Sequence, residues 1–169
     1  DVVLLKEKMA RLGFVVSNNP TPQYGPKTES TVIALQKYYG LDETGIVDEA
    51  TWVKLDEIYS NSLRKGMSHE DVIPLKEALT RLGFGSFAYN NKNYGSQTEK
   101  VVRSFQKYYG LVVNGIVDEV TKAELDKIMS SPYHNGRSHE DVIKLKKDLT
   151  RLGFGSFVYN KNYGPKTER

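Results

Sequence analysis

Residues 94–125 read YGSQTEKVVRSFQKYYGLVVNGIVDEVTKAEL, and this stretch decides the fold. Its apolar residues recur at helical spacing, which predicts a helix with one apolar face. They are Val101, Val102, Phe105 and one of Tyr108 and Tyr109. Gly110 then predicts the end of that helix, because glycine adopts the left-handed conformation without a Cβ clash.

The second half of the stretch predicts a tight turn and another helix. Asn114-Gly115 is a strong turn dipeptide, and the apolar pair Ile116-Val117 follows it. Asp118 is a candidate N-cap, because its carboxylate can accept hydrogen bonds from the first free N–H groups of a helix. We therefore expect a helix, a turn, a short extended pair and a second helix.

The same pattern occurs 70 residues earlier, in residues 24–55, and its opening returns a third time at Tyr163-Gly164-Pro165. Residues 71–90 and 141–160 differ at four of 20 positions. Each repeat begins with an Asp and an apolar stripe of helical period, such as Val2, Leu5, Met9 and Leu12. The chain is therefore an array of repeats, which overrides the single domain that its length of 169 residues would favour.

These motifs resemble the type 1 peptidoglycan-binding domain. The resemblance is carried by Tyr24-Gly25-Pro26-Lys27-Thr28-Glu29, then Leu35-Gln36-Lys37-Tyr38-Tyr39-Gly40-Leu41, then Thr44-Gly45-Ile46-Val47-Asp48-Glu49 with Thr51-Trp52. It implies a mainly α fold of tandem small three-helix domains joined by short linkers. We expect repeat 1 over residues 1–60, repeat 2 over 71–130 and an incomplete repeat 3 over 141–169. Asp48 and Asp118 stand where the family has glycine.

Composition narrows the classes of partner. The chain has no cysteine and a net charge of +3, and it has no run of about 20 apolar residues. Residues 1–60 hold 6 basic and 9 acidic residues, whereas residues 141–169 hold 7 and 3. A nucleic-acid-binding array would be basic in every repeat, so we expect no nucleic-acid partner. The basic third repeat could attract anionic wall polymers.

No motif predicts catalysis. The cluster His69-Glu70-Asp71 has metal-ligand residue types, but adjacent side chains before a helix point in different directions. We interpret Glu70 and Asp71 as stabilising the helix N-terminus, where negative charge is favourable. The carboxylates fall mostly at caps and on polar faces, not in a pair flanking a cleft. We therefore expect no catalytic residue, no metal and no cofactor.

Aromatic and amide side chains are the candidates for sugar or peptide contact, because aromatic faces stack on sugar C–H surfaces and amides bond to polar groups. The seven candidate ligand-binding residues are Tyr24, Gln36, Tyr39, Tyr89, Tyr94, Gln106 and Tyr109. A structural alternative stays open: one tyrosine of each pair must face inward, and the glutamines can satisfy buried backbone. We expect Trp52 to cover the edge of the third helix, and Phe87 and Phe157 to pack their loops onto the core.

The resemblance implies a non-catalytic array that binds peptidoglycan at the surface of a Gram-positive bacterium. It would hold a larger secreted protein, such as a wall hydrolase or surface-layer protein, on the wall. The alternative is a structural or protein-interaction array without glycan binding. Both ends fall within motifs, so we expect a longer parent protein. The apolar stripe of the third repeat is expected to pack on the second repeat or on another chain, or to lack order.

Overall fold

The computed structural model describes residues 1–14, 21–60, 63–87, 91–134, 136–164 and 167, apart from the side chain of Tyr59. Within those residues the chain forms helices and no strand, which confirms the mainly α fold. The helices are α1 Val2–Arg11, α2 Pro26–Tyr38, α3 Glu49–Ser60, α4 Val72–Arg81, α5 Ser96–Tyr108, α6 Glu119–Ser130 and α7 Asp141–Arg151.

Aspartate side chains cap the N-termini of three of the helices, and the sequence predicts this role for Asp118. The carboxylate of Asp1 accepts a hydrogen bond from the Val3 N–H at 2.9 Å. Asp48 and Asp118 accept one from the backbone N–H three residues later, at 2.8 Å in each case. Asp71 occupies the N-cap position of α4, but its side chain makes no capping hydrogen bond. Such bonds satisfy N–H groups that a helix leaves without an internal partner.

Glycines end α2 and α5, because the chain must reverse there. Gly40 and Gly110 both have φ of +68°, in the left-handed region that favours glycine. The N–H of Leu41 then donates to the Gln36 carbonyl, and that of Leu111 to the Gln106 carbonyl, each at 2.8 Å. This geometry returns the chain over the end of the helix and starts the turn that follows.

The contacts divide the chain into two compact units. The first comprises residues 1–69 and 93–121, and the second comprises residues 70–92 and 122–169. Each unit therefore combines segments from neighbouring repeats. The repeat boundaries at 1–60, 71–130 and 141–169 stay a prediction.

The core of the first unit lies where α1 packs against α3. Its buried residues are Leu5, Met9, Leu12, Phe14, Val32, Leu35, Tyr39, Leu55 and Ile58. Val112, Ile116 and Val120 of the second repeat pack against this cluster. The first repeat is thus covered partly by residues of the second, and apolar surface removed from water stabilises that arrangement by about 25 cal/mol per Å².

The second unit buries one apolar face of α4 and α6 together with the start of α7. Its buried apolar residues are Val72, Leu75, Leu79, Leu82, Leu125 and Val142. Burial fades along α7: Leu145 and Leu149 are partly buried, whereas Leu152 is 70% exposed. Phe154, just after α7, is 73% exposed. The apolar residues of α7 are therefore fully buried only at the N-terminal end of the helix, at Val142.

Candidate functional site

Gln36 holds the turn of the first repeat. Its side chain is 1% exposed, and its Oε1 accepts a hydrogen bond from the Gly45 N–H at 2.9 Å. Its Nε2 donates to the Ile46 carbonyl at 2.9 Å and to Thr51 Oγ1 at 3.1 Å. One amide therefore joins α2, the turn and α3, and it satisfies buried backbone groups that would otherwise be costly.

Gln106 repeats this arrangement in the second repeat. It is fully buried, accepts from the Gly115 N–H at 2.8 Å and donates to the Ile116 carbonyl at 2.9 Å. It also donates to Thr121 Oγ1 at 3.1 Å. We call each set of glutamine, turn and threonine a turn clamp. Both glutamines therefore satisfy buried backbone groups, which is the structural alternative to ligand contact that the sequence left open.

The tyrosine of each Tyr-Gly motif joins the same clamp. The hydroxyl of Tyr94 donates to the Gly115 carbonyl at 2.9 Å, and that of Tyr24 donates to the Gly45 carbonyl. Their burial differs, because Tyr94 is 1% exposed whereas Tyr24 is 41% exposed. Burial raises the pKa of Tyr94 well above its usual range, and burial with the nearby Glu29 carboxylate raises that of Tyr24. Both hydroxyls are therefore protonated donors at neutral pH.

Tyr39 joins the first repeat to the second. It is 7% exposed, and its hydroxyl donates to Asp118 Oδ2 at 2.8 Å. The neighbouring Tyr38 hydroxyl accepts a hydrogen bond from the Val112 N–H at 3.2 Å. The Phe14 ring lies 5.8 Å from the Tyr38 ring and 6.2 Å from the Tyr39 ring. Within the first unit, this tyrosine pair is thus part of an interface between repeats.

The equivalent pair in the second repeat is more open. Tyr109 is partly buried against Phe105, with ring centroids 4.7 Å apart, whereas Tyr108 is 72% exposed. The sequence predicted that one tyrosine of the pair faces inward but selected Tyr109 as the ligand candidate. Tyr108 is the tyrosine of the pair with the more exposed side chain. Only burial by neighbouring segments distinguishes the two, and the sequence carries no signal for it.

A buried lysine in the first helix of each repeat was missed by sequence reasoning. Lys6, Lys76 and Lys146 are 6%, 4% and 5% exposed. Lys6 donates to the Gln23 carbonyl at 2.7 Å, and Lys146 donates to the Asn162 carbonyl at 2.6 Å. We call these three residues the loop lysines, because their ammonium groups bond to carbonyls of the loop that follows the helix. Their recurrence every 70 residues, beside an apolar stripe, is the sequence signal that could have identified them.

Lys76 shows the chemistry of the loop lysines. Its ammonium donates to the Asn91 carbonyl at 2.8 Å and lies 5.8 Å from the centre of the Phe87 ring. Burial lowers its pKa. Phe87 and Phe157 are both partly buried, as expected for side chains that pack their loops inward. The remaining candidate, Tyr89, lies outside the described residues.

A shallow cleft of about 310 Å³ lies on α5 and is lined by Ser96, Glu99, Lys100, Arg103, Ser104, Lys107 and Val113. Its three cations suit anionic or polar ligand groups.

Among the side chains the structure describes, no group of three or more His, Asp or Glu residues could hold a metal ion. Trp52 is partly buried against the core of the first unit, and the Lys8 ammonium lies 5.7 Å from the centre of its ring.

The described helices include none that is both long and apolar enough to cross a membrane.

The seven predicted ligand residues do not form one surface, because Gln36, Gln106, Tyr39 and Tyr94 are buried. Tyr24 keeps a substantial exposed face, and Tyr109 a smaller one. Contact between these residues and a ligand stays a prediction.

Two amidases are similar to this chain. N-acetylmuramoyl-L-alanine amidase CwlM of Mycobacterium tuberculosis is 30% identical over 124 residues, which is 69% of this chain and 30% of the amidase. "Probable N-acetylmuramoyl-L-alanine amidase" of Bacillus licheniformis is 32% identical over 146 residues, covering 72% of this chain and 40% of the relative. The chain thus spans well under half the length of either enzyme. No solved structure matches it.

The family comparison agrees with the repeated turn clamp. The family described as "Putative peptidoglycan binding domain" matches residues 1–55 and again residues 68–125. Each match contains a complete set of the Tyr-Gly, glutamine, Gly-Ile-Val and threonine positions that build the clamp. These matches cover about two thirds of the chain, so the chain belongs to the peptidoglycan-binding domain family and carries the domain in tandem.

Proposed function

We propose that this chain is a non-catalytic array that holds a larger secreted protein on the peptidoglycan of a bacterial cell wall. The observation that carries the proposal is the family match over two consecutive repeats. The amidase relatives support it, since this chain corresponds to only 30% and 40% of their lengths. The parent could accordingly be a wall hydrolase or a surface-layer protein.

Repetition itself favours anchoring. Two weak sites on one chain raise each other's effective concentration, so firm attachment needs no tight single site. The turn clamps hold the turn of each repeat by equivalent hydrogen bonds, so the two repeats share one local framework. A tandem array can therefore grip a polymer whose repeating units offer many equivalent positions.

The wall-facing side chains are proposed to be the exposed aromatics and the cations of the α5 cleft. Tyr24 and Tyr108 expose 41% and 72% of their surfaces, enough for a ring to stack on a sugar. Lys100 and Lys107 line the cleft and can meet peptide carboxylates or anionic wall polymers. The buried members Gln36, Tyr39, Tyr94 and Gln106 would act by holding these surfaces in place, and Tyr109 could add an edge contact.

The test is sedimentation with purified cell wall stripped of teichoic acid, at low and high salt. We expect binding that persists at high salt and that falls several-fold in Tyr108→Ala. The matched control is Tyr133→Ala, which also removes an exposed tyrosine, 44% exposed, from outside the matched segments. A folded chain that stays in the supernatant at both salt concentrations would refute wall binding and favour the protein-interaction array.

The cleft is tested separately with the double substitution of Lys100 and Lys107 by Ala. If the cations attract anionic polymers, unstripped wall should lose binding at low salt, whereas stripped wall should be affected less. Equal effects on both walls would place the cations at the glycan or peptide site instead.

A further inference from the structure

The cations of the α5 cleft lie in a row along the helix. The lining residues from α5 recur at spacings of three and four residues, which places them on one side of the helix. Lys100, Arg103 and Lys107 follow one another along the helix axis at rises of about 4.5 Å and about 6 Å. Val113, from the turn after α5, completes the lining. The cleft therefore presents positive charge at successive positions rather than at one point.

Arg103 is held in place by its neighbours. Its Nη1 donates to the Val113 carbonyl at 2.8 Å, and its Nη2 lies 3.3 Å from Oε1 of Glu99. The other carboxylate oxygen of Glu99 lies 3.1 Å from the Lys65 ammonium. The Arg103 side chain nevertheless remains 43% exposed. This guanidinium is thus positioned before a ligand arrives, which lowers the entropic cost of binding.

Lys100 and Lys107 are the exposed cations of the cleft. Among the described side chains, neither of them forms an ion pair. With Arg103 they give the lining three positive charges against the one negative charge of Glu99. Such a row attracts a chain whose anionic groups recur along its length, because each cation can meet a different group.

The sequence of the first repeat lacks this row of cations. Seventy residues before Lys100 and Arg103 stand Ser30 and Ile33, and the turn of the first repeat carries the acidic Glu43 in place of a valine. One lysine remains on the corresponding face of α2. The two repeats thus share the turn clamp but differ in this surface.

Contact between consecutive repeats leaves this face of the helix open. In the first repeat the equivalent positions Ser30, Ala34 and Lys37 are exposed, although residues of the second repeat pack on the first. The linker of residues 63–68 pairs with the second repeat by backbone hydrogen bonds and contacts the cleft lining through Lys65. Neither kind of contact covers the row of cations.

We propose that the α5 cleft binds a linear polyanion, which makes the second repeat the one that recognises charge. The ligand is a flexible chain with a phosphate or carboxylate group on each unit. Lys100, Arg103 and Lys107 pair with successive anionic groups, and Val113, which is 40% exposed, contacts the apolar part of a unit. That this polymer comes from the cell wall rests on the proposed function, whereas the recognition itself does not.

The lining favours such a chain over a nucleic acid. Among the described residues, the cleft is lined by no aromatic side chain. Proteins that bind single-stranded nucleic acids combine a positive groove with aromatic rings on which the bases stack. A cleft that has the charge without the rings suits a polymer that carries no bases.

The test titrates the full chain, labelled with ¹⁵N, with soluble poly(glycerol phosphate) and with polygalacturonate. We expect at least one of them to shift the amide resonances of Ser104 and Val113 in a saturable way, and the tighter binder identifies the anionic group. Monomeric glycerol phosphate should bind about tenfold or more weakly than its polymer, because a chain brings successive groups to the cations at high effective concentration.

Variants locate the binding. Lys100→Ser with Arg103→Ile introduces the residues of the first repeat and should weaken binding about two- to thirty-fold, the range of two exposed ion pairs. Lys100→Ser with Lys107→Ser alters exposed positions only and should give a similar loss, which keeps the test valid if the first variant is unstable. The control, Lys144→Ser with Lys147→Ser, removes the same charge from exposed positions of α7 and should leave the affinity unchanged.

Three results would overturn the proposal. Neither polymer could move the cleft amides at millimolar concentration, even if the chain sediments with stripped wall. The control and cleft variants could lose affinity equally, which would reduce the effect to net charge. Oligothymidylate could bind more tightly than both polymers, which would indicate a nucleic acid. By contrast, a chain that binds a soluble polymer through the cleft but does not sediment with stripped wall would support the proposal and refute peptidoglycan anchoring alone.

Discussion

The hydroxyl of Tyr39 donates a 2.8 Å hydrogen bond to the carboxylate of Asp118, 79 residues further along the chain. Both residues are buried, at 7% and 1% exposure. Asp118 also accepts from the Thr121 N–H at the start of α6. One carboxylate thus caps a helix of the second repeat and binds the core of the first, so the two repeats are coupled within the first unit.

Replacement of Tyr39 by Phe should lower the free energy of unfolding by about 1.5–3 kcal/mol, the usual cost of losing a hydrogen bond to a charged group. Urea unfolding measures the change. Tyr109→Phe is the matched control, because Tyr109 holds the same position in the second repeat and is only partly buried. Equal losses in the two variants would show that the Asp118 contact adds nothing.

Replacement of Gln36 by Leu should destabilise the chain by about 2–4 kcal/mol, since it leaves the Gly45 N–H and the Ile46 carbonyl without their partner. Gln97→Leu, at an exposed position of α5, should change stability by less than about 0.5 kcal/mol. Thermal and urea unfolding of both variants test this. If Gln36→Leu unfolds like its control, the turn clamp is not a stabilising element.

Two glycine substitutions separate backbone strain from steric conflict. Gly40 and Gly45 have φ of +68° and +70°, so alanine costs about 1–2 kcal/mol at either position. A Cβ at Gly45 would also lie 2.8 Å from the Cγ of Glu29, whereas one at Gly40 would have no atom within 4 Å. We expect Gly45→Ala to be the more destabilising in urea unfolding, and the reverse order would contradict the packing of Glu29 on the turn.

Lys146→Met should loosen the loop of the third repeat. The Lys146 ammonium donates to Asn160 Oδ1 at 2.8 Å and to the Asn162 carbonyl at 2.6 Å, and methionine cannot replace these bonds. Hydrogen exchange of residues 156–162 should become about tenfold faster or more, as expected for the loss of at least about 1.4 kcal/mol of local stability. Lys144→Met, an exposed neighbour on α7, should leave exchange unchanged. Equal protection in both variants would refute the role of the lysine.

Stability should fall as the pH rises above about 10. Burial and the Asp118 charge raise the pKa of Tyr38 to about 12, from an ordinary value of 10.0. Below the ordinary value both folded and unfolded states are protonated, so the contribution of Tyr38 is complete there. Between the two values only the unfolded state loses its proton, and stability is lost as the pH rises.

Urea midpoints between pH 8 and pH 11.5 measure this effect. Tyr38→Phe should make the alkaline fall shallower, because it removes one of the raised groups. Tyr133→Phe, at an exposed tyrosine, should keep the slope of the unmodified chain. Parallel slopes for Tyr38→Phe and the unmodified chain would show that Tyr38 ionises alike in both states.

Local patterns were enough to predict the helices. The apolar stripe of Leu5, Met9 and Leu12 has helical spacing, and these residues are buried. Asp118 was recognised as a cap, and Gly110 as a helix end, because each depends on the chemistry of one residue and its nearest backbone groups. The repeat and its motifs also predicted the family, which the comparison confirms.

The sequence by itself thus determined the helices, their ends, the 70-residue repeat and the family. Only the tertiary structure decided which tyrosine is buried, since Tyr39 and Tyr109 occupy equivalent positions and differ in what covers them. It likewise decided that Lys76 is buried and that residues 63–68 pair with the second repeat. Burial and long-range hydrogen bonds depend on segments far apart in the chain, and the spacing of neighbouring residues holds no information about them.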